Sequence, residues 1–154
     1  MGEGKRTKQV EAIAHGTVVD HIPSHVTLQV ARLLAQPDDQ VFIGVNLRSA
    51  KMPTKGVIKI AERELSPNII SRLYVLAPQA TMSIIRDYQV VQKGAIPRPQ
   101  VMVGVLNCPN PNCVTNHEPC QTCFTVTGDE AQPDFHCAYC ERDFSAADLA
   151  SAGL

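Results

Sequence analysis

Tryptophan is absent from the 154-residue chain, and aromatic residues make up only 5% of it. That scarcity weighs against a stacking platform for nucleic-acid bases. No apolar run reaches the roughly 18–20 residues that a membrane-spanning helix needs. The opening residues, MGEGKRTKQVEA, have no apolar stretch behind their lysines, so no secretory signal is expected. Neither GxGxxG nor GxxxxGK[ST] occurs, which removes the glycine-rich phosphate loops. No nucleophile–base motif or evident carboxylate pair is present either, so the chain is not expected to be an enzyme by itself. Basic residues are nearly missing from the last third. Residues 101–154 carry Arg142 alone against seven acids, a net charge of −6.

What is present describes a folded chain in two parts. Hydrophobic residues at 44% and charged residues at 19% are ordinary for a globular protein. Residues 1–100 hold 13 Lys and Arg against 8 Asp and Glu, a net +5, so the overall −1 conceals a division. All six cysteines lie in the acidic part. Without a secretory signal they read as reduced thiols for metal or redox chemistry in the cytoplasm. Between the parts runs Gly94-Ala95-Ile96-Pro97-Arg98-Pro99, a semi-rigid connection. The expected domains are therefore residues 1–100 and 101–154. The second is too short to bury much core without a metal or another cross-link.

The first hundred residues alternate between strand and helix signals. Residues 9–15 and 17–22 are rich in β-branched residues and read as one bent strand or two short ones, broken at Gly16. Pro23-Ser24 opens a helix with Ser24 as the candidate N-cap and a stripe of Val26, Val30, Leu33 and Leu34. Strands follow at 40–47 and 56–61, around a polar loop at 48–55. Ser66-Pro67 starts a second helix carrying Ile69, Ile70, Leu73 and Leu76. A last strand covers about 81–92. The order β-α-β-β-α-β predicts an α+β, ferredoxin-like sheet with both helices on one face. Alternation puts Lys59 beside Lys55 and Val57, opposite Ile58 and Ile60. With Asp20-His21 and Lys93, these groups mark either a solvated sheet face or an anion site, where lysines meet phosphates as point charges.

The cysteines are spaced C-x4-C (Cys108, Cys113), C-x2-C (Cys120, Cys123) and C-x2-C (Cys137, Cys140). Two such pairs give zinc its four tetrahedral thiolates without a large core, and a closed site leaves no position for substrate. Spacing by itself favours Cys120, Cys123, Cys137 and Cys140, with 13 residues between the pairs. His117 and His136 are further possible ligands. A redox role for Cys120-Gln121-Thr122-Cys123 lacks the βαβ setting that gives C-x-x-C its usual meaning. A zinc-ribbon that binds nucleic acid is the alternative from another functional class. It is disfavoured because four thiolates on Zn²⁺ add a formal −2 to a unit already acidic.

Cys108-Pro109-Asn110-Pro111-Asn112-Cys113, His117-Glu118-Pro119 and Cys137-Ala138-Tyr139-Cys140-Glu141 resemble the zinc domain of aspartate carbamoyltransferase regulatory chains. Independently, Val10-Glu11-Ala12-Ile13, the run from Gly16 to Pro23, Ile58-Lys59-Ile60 and Ala77-Pro78-Gln79-Ala80-Thr81 resemble that family's nucleotide-binding domain. The resemblance implies Cys108, Cys113, Cys137 and Cys140 as ligands of one structural Zn²⁺, with Cys120 and Cys123 departing from the pattern. It implies Asp20, Lys59 and Lys93 as nucleotide contacts. Val10, Ala12, Ile13, His21, Val57, Ile85, Tyr88 and Val90 would then line or approach the base and ribose. The function implied is a non-catalytic regulatory subunit of pyrimidine biosynthesis. It would bind ATP and CTP, with UTP as a further candidate, pair with a second regulatory chain and dock on catalytic chains through its small all-β zinc domain.

Overall fold

The computed structural model describes residues 12–154. No helix among them is long and apolar enough to cross a membrane. The first unit is a five-stranded antiparallel sheet in the order β2-β3-β1-β4-β5. Its strands are β1 (Gly16–Ile22), β2 (Val41–Arg48), β3 (Thr54–Ala61), β4 (Thr81–Arg86) and β5 (Gln89–Ala95). Helix α1 (Thr27–Leu34) follows β1 after a single 3₁₀ turn, and α2 (Pro67–Leu76) joins β3 to β4. Val19, Ile58 and Ile60 are buried to 1% exposure or less beneath the helices, as the alternation of β1 and β3 requires, and Ile22 joins them because β1 shifts register between Val19 and Ile22, with His21 at φ 57°. The first four strands have the ferredoxin-like order.

Three local expectations are corrected. Residues 12–15 are not a strand, and 9–11 lie outside the described residues. Gly16 has φ +133°, and a Cβ there would run into the Ile60 carbonyl, so the chain turns sharply where β1 begins. The Ala14 and His15 carbonyls are met singly, by Tyr88 N–H and Glu62 N–H, instead of by a ladder. Ser24 does not cap α1; its hydroxyl donates to Thr54 Oγ1 at 3.1 Å. The segment 81–92 is two strands, not one. Asp87 and Tyr88, at φ 50° and 62°, make the tight turn that suits a two-residue hairpin, and β5 returns beside β4. This adds the fifth strand.

Helix α2 begins as the sequence predicts, with Ser66 Oγ accepting from Ile69 N–H and Pro67 in the first turn. Its most buried residues are Leu73, Tyr74 and Val75, whereas Ile69, Ile70 and Leu76 are half-buried. A one-sided stripe does not describe it because two bodies cover it, the sheet and the second unit.

That second unit is a four-stranded antiparallel sheet, β6 (Val101–Val103), β7 (Cys123–Gly128), β8 (Pro133–Cys137) and β9 (Asp143–Ser145), in sequence order. It is closed by the short helix α3 (Ala146–Ser151), started by a capping box of Ser145 and Asp148. Phe124 and Phe135 are fully buried, and Phe124 meets Phe144 edge-on at 6.4 Å. Met102, Val105 and Leu106 continue this core into that of the first unit.

Close packing of α1 on β3 supplies one test. A Cβ at Gly56 would collide with the Thr27 side chain, which is fully buried and donates to the Pro23 carbonyl. Gly56→Ala is expected to lower unfolding free energy by about 1–3 kcal/mol through overpacking. Urea denaturation reads this directly, and an unchanged midpoint would refute the tight contact.

Candidate functional sites

The sheet face away from the helices carries a cavity of about 520 Å³. Its centre is one cross-strand rung: Lys59 on β3 lies opposite Val18 on β1, Val18 opposite Ser83 on β4, and Ser83 opposite Lys93 on β5. Three strand spacings separate the two lysines, about 14 Å between backbones, and both line the same cavity. Toward one end Ile85 and Val90 face each other across β4 and β5, with Ala12 nearby in the wall. Toward the other end Asp20 is held by Lys55, whose Nζ stands 2.9 Å from Oδ1 and 3.1 Å from Oδ2. Burial pushes the Asp20 carboxyl up, but the Lys55 hydrogen bond and the His21 N–H outweigh it, leaving Asp20 below its ordinary pKa.

Of the residues expected to bind nucleotide, the wall holds Ala12, Asp20, Val57, Lys59, Ile85, Val90 and Lys93. Val10 lies outside the described residues. Ile13 is buried at 6% exposure and His21 turns its Nδ1 to Thr81 Oγ1 at 3.0 Å; neither lines the wall. Tyr88, 71% exposed on the β4–β5 turn, does not line it either. Lys55, which alternation puts on the face of Lys59, completes the cavity together with Val18, Leu47, Arg48 and Ser83, which were not expected there. Val18 and Ser83 were accessible to the same two-residue alternation. Leu47 and Arg48 were not, because β2 slips register against β3 between Gly44 and Leu47, with Asn46 at φ 59°.

The second site is made of sulfur. Cys108 and Cys113 lie in the loop after β6, Cys137 ends β8, and Cys140 sits in the turn before β9. Asn116 Nδ2 braces the first loop by donating to the Cys108 and Asn110 carbonyls at 3.0 and 2.7 Å. In the second, Glu141 N–H returns to the Cys137 carbonyl at 2.9 Å, with Glu141 at φ 59°. All four sulfurs lie within 4.8 Å of one another, with Cys108–Cys140 at 3.8 Å and Cys113–Cys137 at 3.9 Å. A tetrahedron with metal–sulfur bonds of about 2.3 Å has edges of about 3.8 Å, so the donor set fits a four-thiolate ion.

Burial pushes the Cys108 and Cys137 thiols up. At Cys113 burial is outweighed by hydrogen bonds from Thr115, which hold the thiol at about 7. Four ionised thiols in one buried spot need a cation to balance them. Cys120 and Cys123 stand outside the group. His117 Nε2 is engaged with the Pro111 carbonyl at 2.7 Å, and His136 Nδ1 with Asp143 at 2.9 Å.

Comparison with known proteins matches both parts of the chain. Residues 8–97 match the family profile described as aspartate carbamoyltransferase regulatory chain, allosteric domain, and residues 100–150 the one described as that chain's metal binding domain. The aspartate carbamoyltransferase regulatory chain of Phocaeicola vulgatus is 42% identical over 147 residues, covering 94% of each chain. That of Halobacterium salinarum is 44% identical over 138 residues, covering 87% of each. That of Proteus mirabilis is 41% identical over 138 residues, covering 88% of this chain and 91% of its own. A cation-lined sheet face, a four-thiol cluster and these near full-length likenesses agree: the chain belongs to the aspartate carbamoyltransferase regulatory chain family, with an allosteric domain followed by a metal-binding domain.

Proposed function

We propose that this regulatory chain binds ATP and CTP on the open face of its first sheet and carries their effect to catalytic chains through a zinc-organised second domain. The division would fall near residue 100, with residues 1–100 taking the nucleotide and 101–154 the metal and the partner. The observation that carries the reading is the rung in which Lys59 and Lys93 flank Val18 and Ser83 across one cavity. Two ammonium groups there can meet one polyphosphate, and Arg48 and the Asp20-paired Lys55 bring the cations of the wall to four. Ala12, Ile85 and Val90 offer apolar walls to a flat base. Because ATP and CTP share the triphosphate, a difference between their effects must arise at the base. UTP, with the same phosphates, is a further ligand of the same kind.

Zn²⁺ would be held by Cys108, Cys113, Cys137 and Cys140 as a structural ion, since four thiolates close its coordination sphere. Val114 and Tyr139, next to those cysteines, are 41% and 47% exposed, and such apolar groups beside a rigid knuckle suit docking on a catalytic chain. Regulatory chains would pair with each other as homodimers, and the work would take place in the cytoplasm. Regulation is then linkage: a nucleotide shifts the assembly only as far as it binds one quaternary state better than the other, typically by about 1–3 kcal/mol.

Lys59→Ala tests the pocket. Binding of ATP and CTP is expected to weaken together by about 1–3 kcal/mol, because the lost charge-assisted contact is to a group they share. The chain should stay folded, since Lys59 lies on the open face of β3. Calorimetry showing unchanged affinity would remove Lys59 from the site, and loss for one nucleotide alone would move it to the base.

A further inference from the structure

The second unit grips the first through α2. Arg72, on that helix, donates from Nε to the Val105 carbonyl at 3.1 Å. Arg98, in the connection between β5 and β6, donates from Nη1 to Tyr74 Oη at 3.3 Å and from Nη2 to the Gly128 carbonyl at 2.8 Å. One guanidinium therefore ties the buried side of α2 to the β7–β8 turn. Gln79, just past the end of α2, reaches the same turn at the Glu130 carbonyl, 3.5 Å away.

Apolar packing of Met102, Val105 and Leu106 joins the two cores, and clefts of about 320 Å³ beside Arg98, Tyr74, Gln79 and Glu130 and of about 470 Å³ between α1, the end of α2 and α3 flank the junction. Apolar contact is non-directional, whereas hydrogen bonds are directional, so the bonds of Arg72 and Arg98 add a preferred orientation to that packing. That helix leads through Ala77-Pro78 into β4, which carries Ser83 and Ile85 in the wall of the open-face cavity. A shift of β4 reaches α2 through a short, continuous piece of chain.

We infer that Arg98 is a positioning residue for the regulatory response: by bridging Tyr74 and Gly128 it sets the seat of the metal-binding unit on α2, so that a change at the pocket becomes a change in that unit's orientation. This deepens the nucleotide reading and rests on it. Arginine suits the task because its planar fork addresses two acceptors at once, which a lysine ammonium on one stem does less well. Neither Arg98 nor Tyr74 lines the cavity, so nucleotide affinity and the size of the response are separable quantities.

The test uses the complex of this chain with its catalytic chain, comparing the parent with Arg98→Gln, Arg98→Lys, Tyr74→Phe and the double variant Tyr74→Phe/Arg98→Gln. Calorimetry gives affinity for ATP and CTP, and the catalytic assay gives the factor by which each changes activity. Arg98→Gln is expected to bind both within about twofold of the parent and to keep basal activity, while at least about half of the nucleotide response disappears. Arg98→Lys should restore part of the response. Tyr74→Phe, which removes only a hydroxyl, should reduce it without loss of fold. The double variant should fall no lower than Arg98→Gln, because the pair shares one hydrogen bond. A full response in Arg98→Gln and Tyr74→Phe overturns the inference. So does a response that falls only in proportion to nucleotide affinity. A parent complex that binds neither nucleotide overturns the nucleotide reading, and the inference with it.

Discussion

Stripping zinc from the assembled complex with a thiol-reactive mercurial and a chelator is expected to release this chain from its catalytic partner. The partner should stay active and stop responding to ATP and CTP. Structural zinc contributes about 10–16 kcal/mol of binding free energy in small domains, where it acts as folding energy. The second unit offers little to replace that: all four of its strands and helix α3 have six residues or fewer each, around Phe124, Phe135, Met102 and Leu149. Its cysteine loops carry the exposed Val114 and Tyr139, so a docking face built on them loses its shape with the metal. The open-face cavity should survive, because its walls come from β1 to β5 and the chain before β1. Its unit should lose some thermal stability, since α2 packs against α3 of the second unit and Arg72 of α2 donates to the Val105 carbonyl. Sedimentation together with the catalytic assay reads the outcome. Retention of the partner and its nucleotide response after zinc loss would show that zinc does not organise the interface. Loss of nucleotide binding would show that the two parts do not divide near residue 100.

Cys137→Ser should abolish metal binding, whereas the double change Cys120→Ser, Cys123→Ser should keep one zinc per chain. Cys137 is fully buried and its sulfur stands 3.9 Å from that of Cys113. Serine there leaves three thiolates and a weak, poorly ionised oxygen, and a closed site that loses one of four ligands opens to water. Cys120 and Cys123 lie outside the sulfur group, so their replacement removes no ligand. Metal analysis of the purified variants decides between the quartets. A double serine variant without metal would restore the C-x2-C…C-x2-C ribbon that spacing alone favours.

Local signals in the chain were readable where one element decides its own form. Ser66-Pro67 starts α2 because cap and proline act within a single turn. Val19, Ile58 and Ile60 face the helices because a strand alternates whatever its neighbours are. The hairpin at Asp87-Tyr88 was hidden, since its turn lacks the glycine or asparagine that usually announces one and β-branched residues continue through both strands. Helix α1 hid its start for a similar reason: Ser24 is a good cap type, but a 3₁₀ turn intervenes and the hydroxyl goes to Thr54.

The candidate sites divide along the same line. From the sequence alone came the metal chemistry of paired cysteines and the placing of Lys59 on the open face, because short spacings and two-residue periodicity are local properties. Tertiary structure decided which pairs of cysteines meet, since loop closure between Cys113 and Cys137 depends on how β7 and β8 fold between them. It decided that Lys93 returns to the rung of Lys59, which needs the β4–β5 hairpin. It decided that Asp20 is held by Lys55, and that Arg98 spans Tyr74 and Gly128. Each of these joins residues 24 or more positions apart or lying on different strands. No local preference encodes such meetings; they follow from strand register and from the cost of leaving apolar faces and polar groups unpaired.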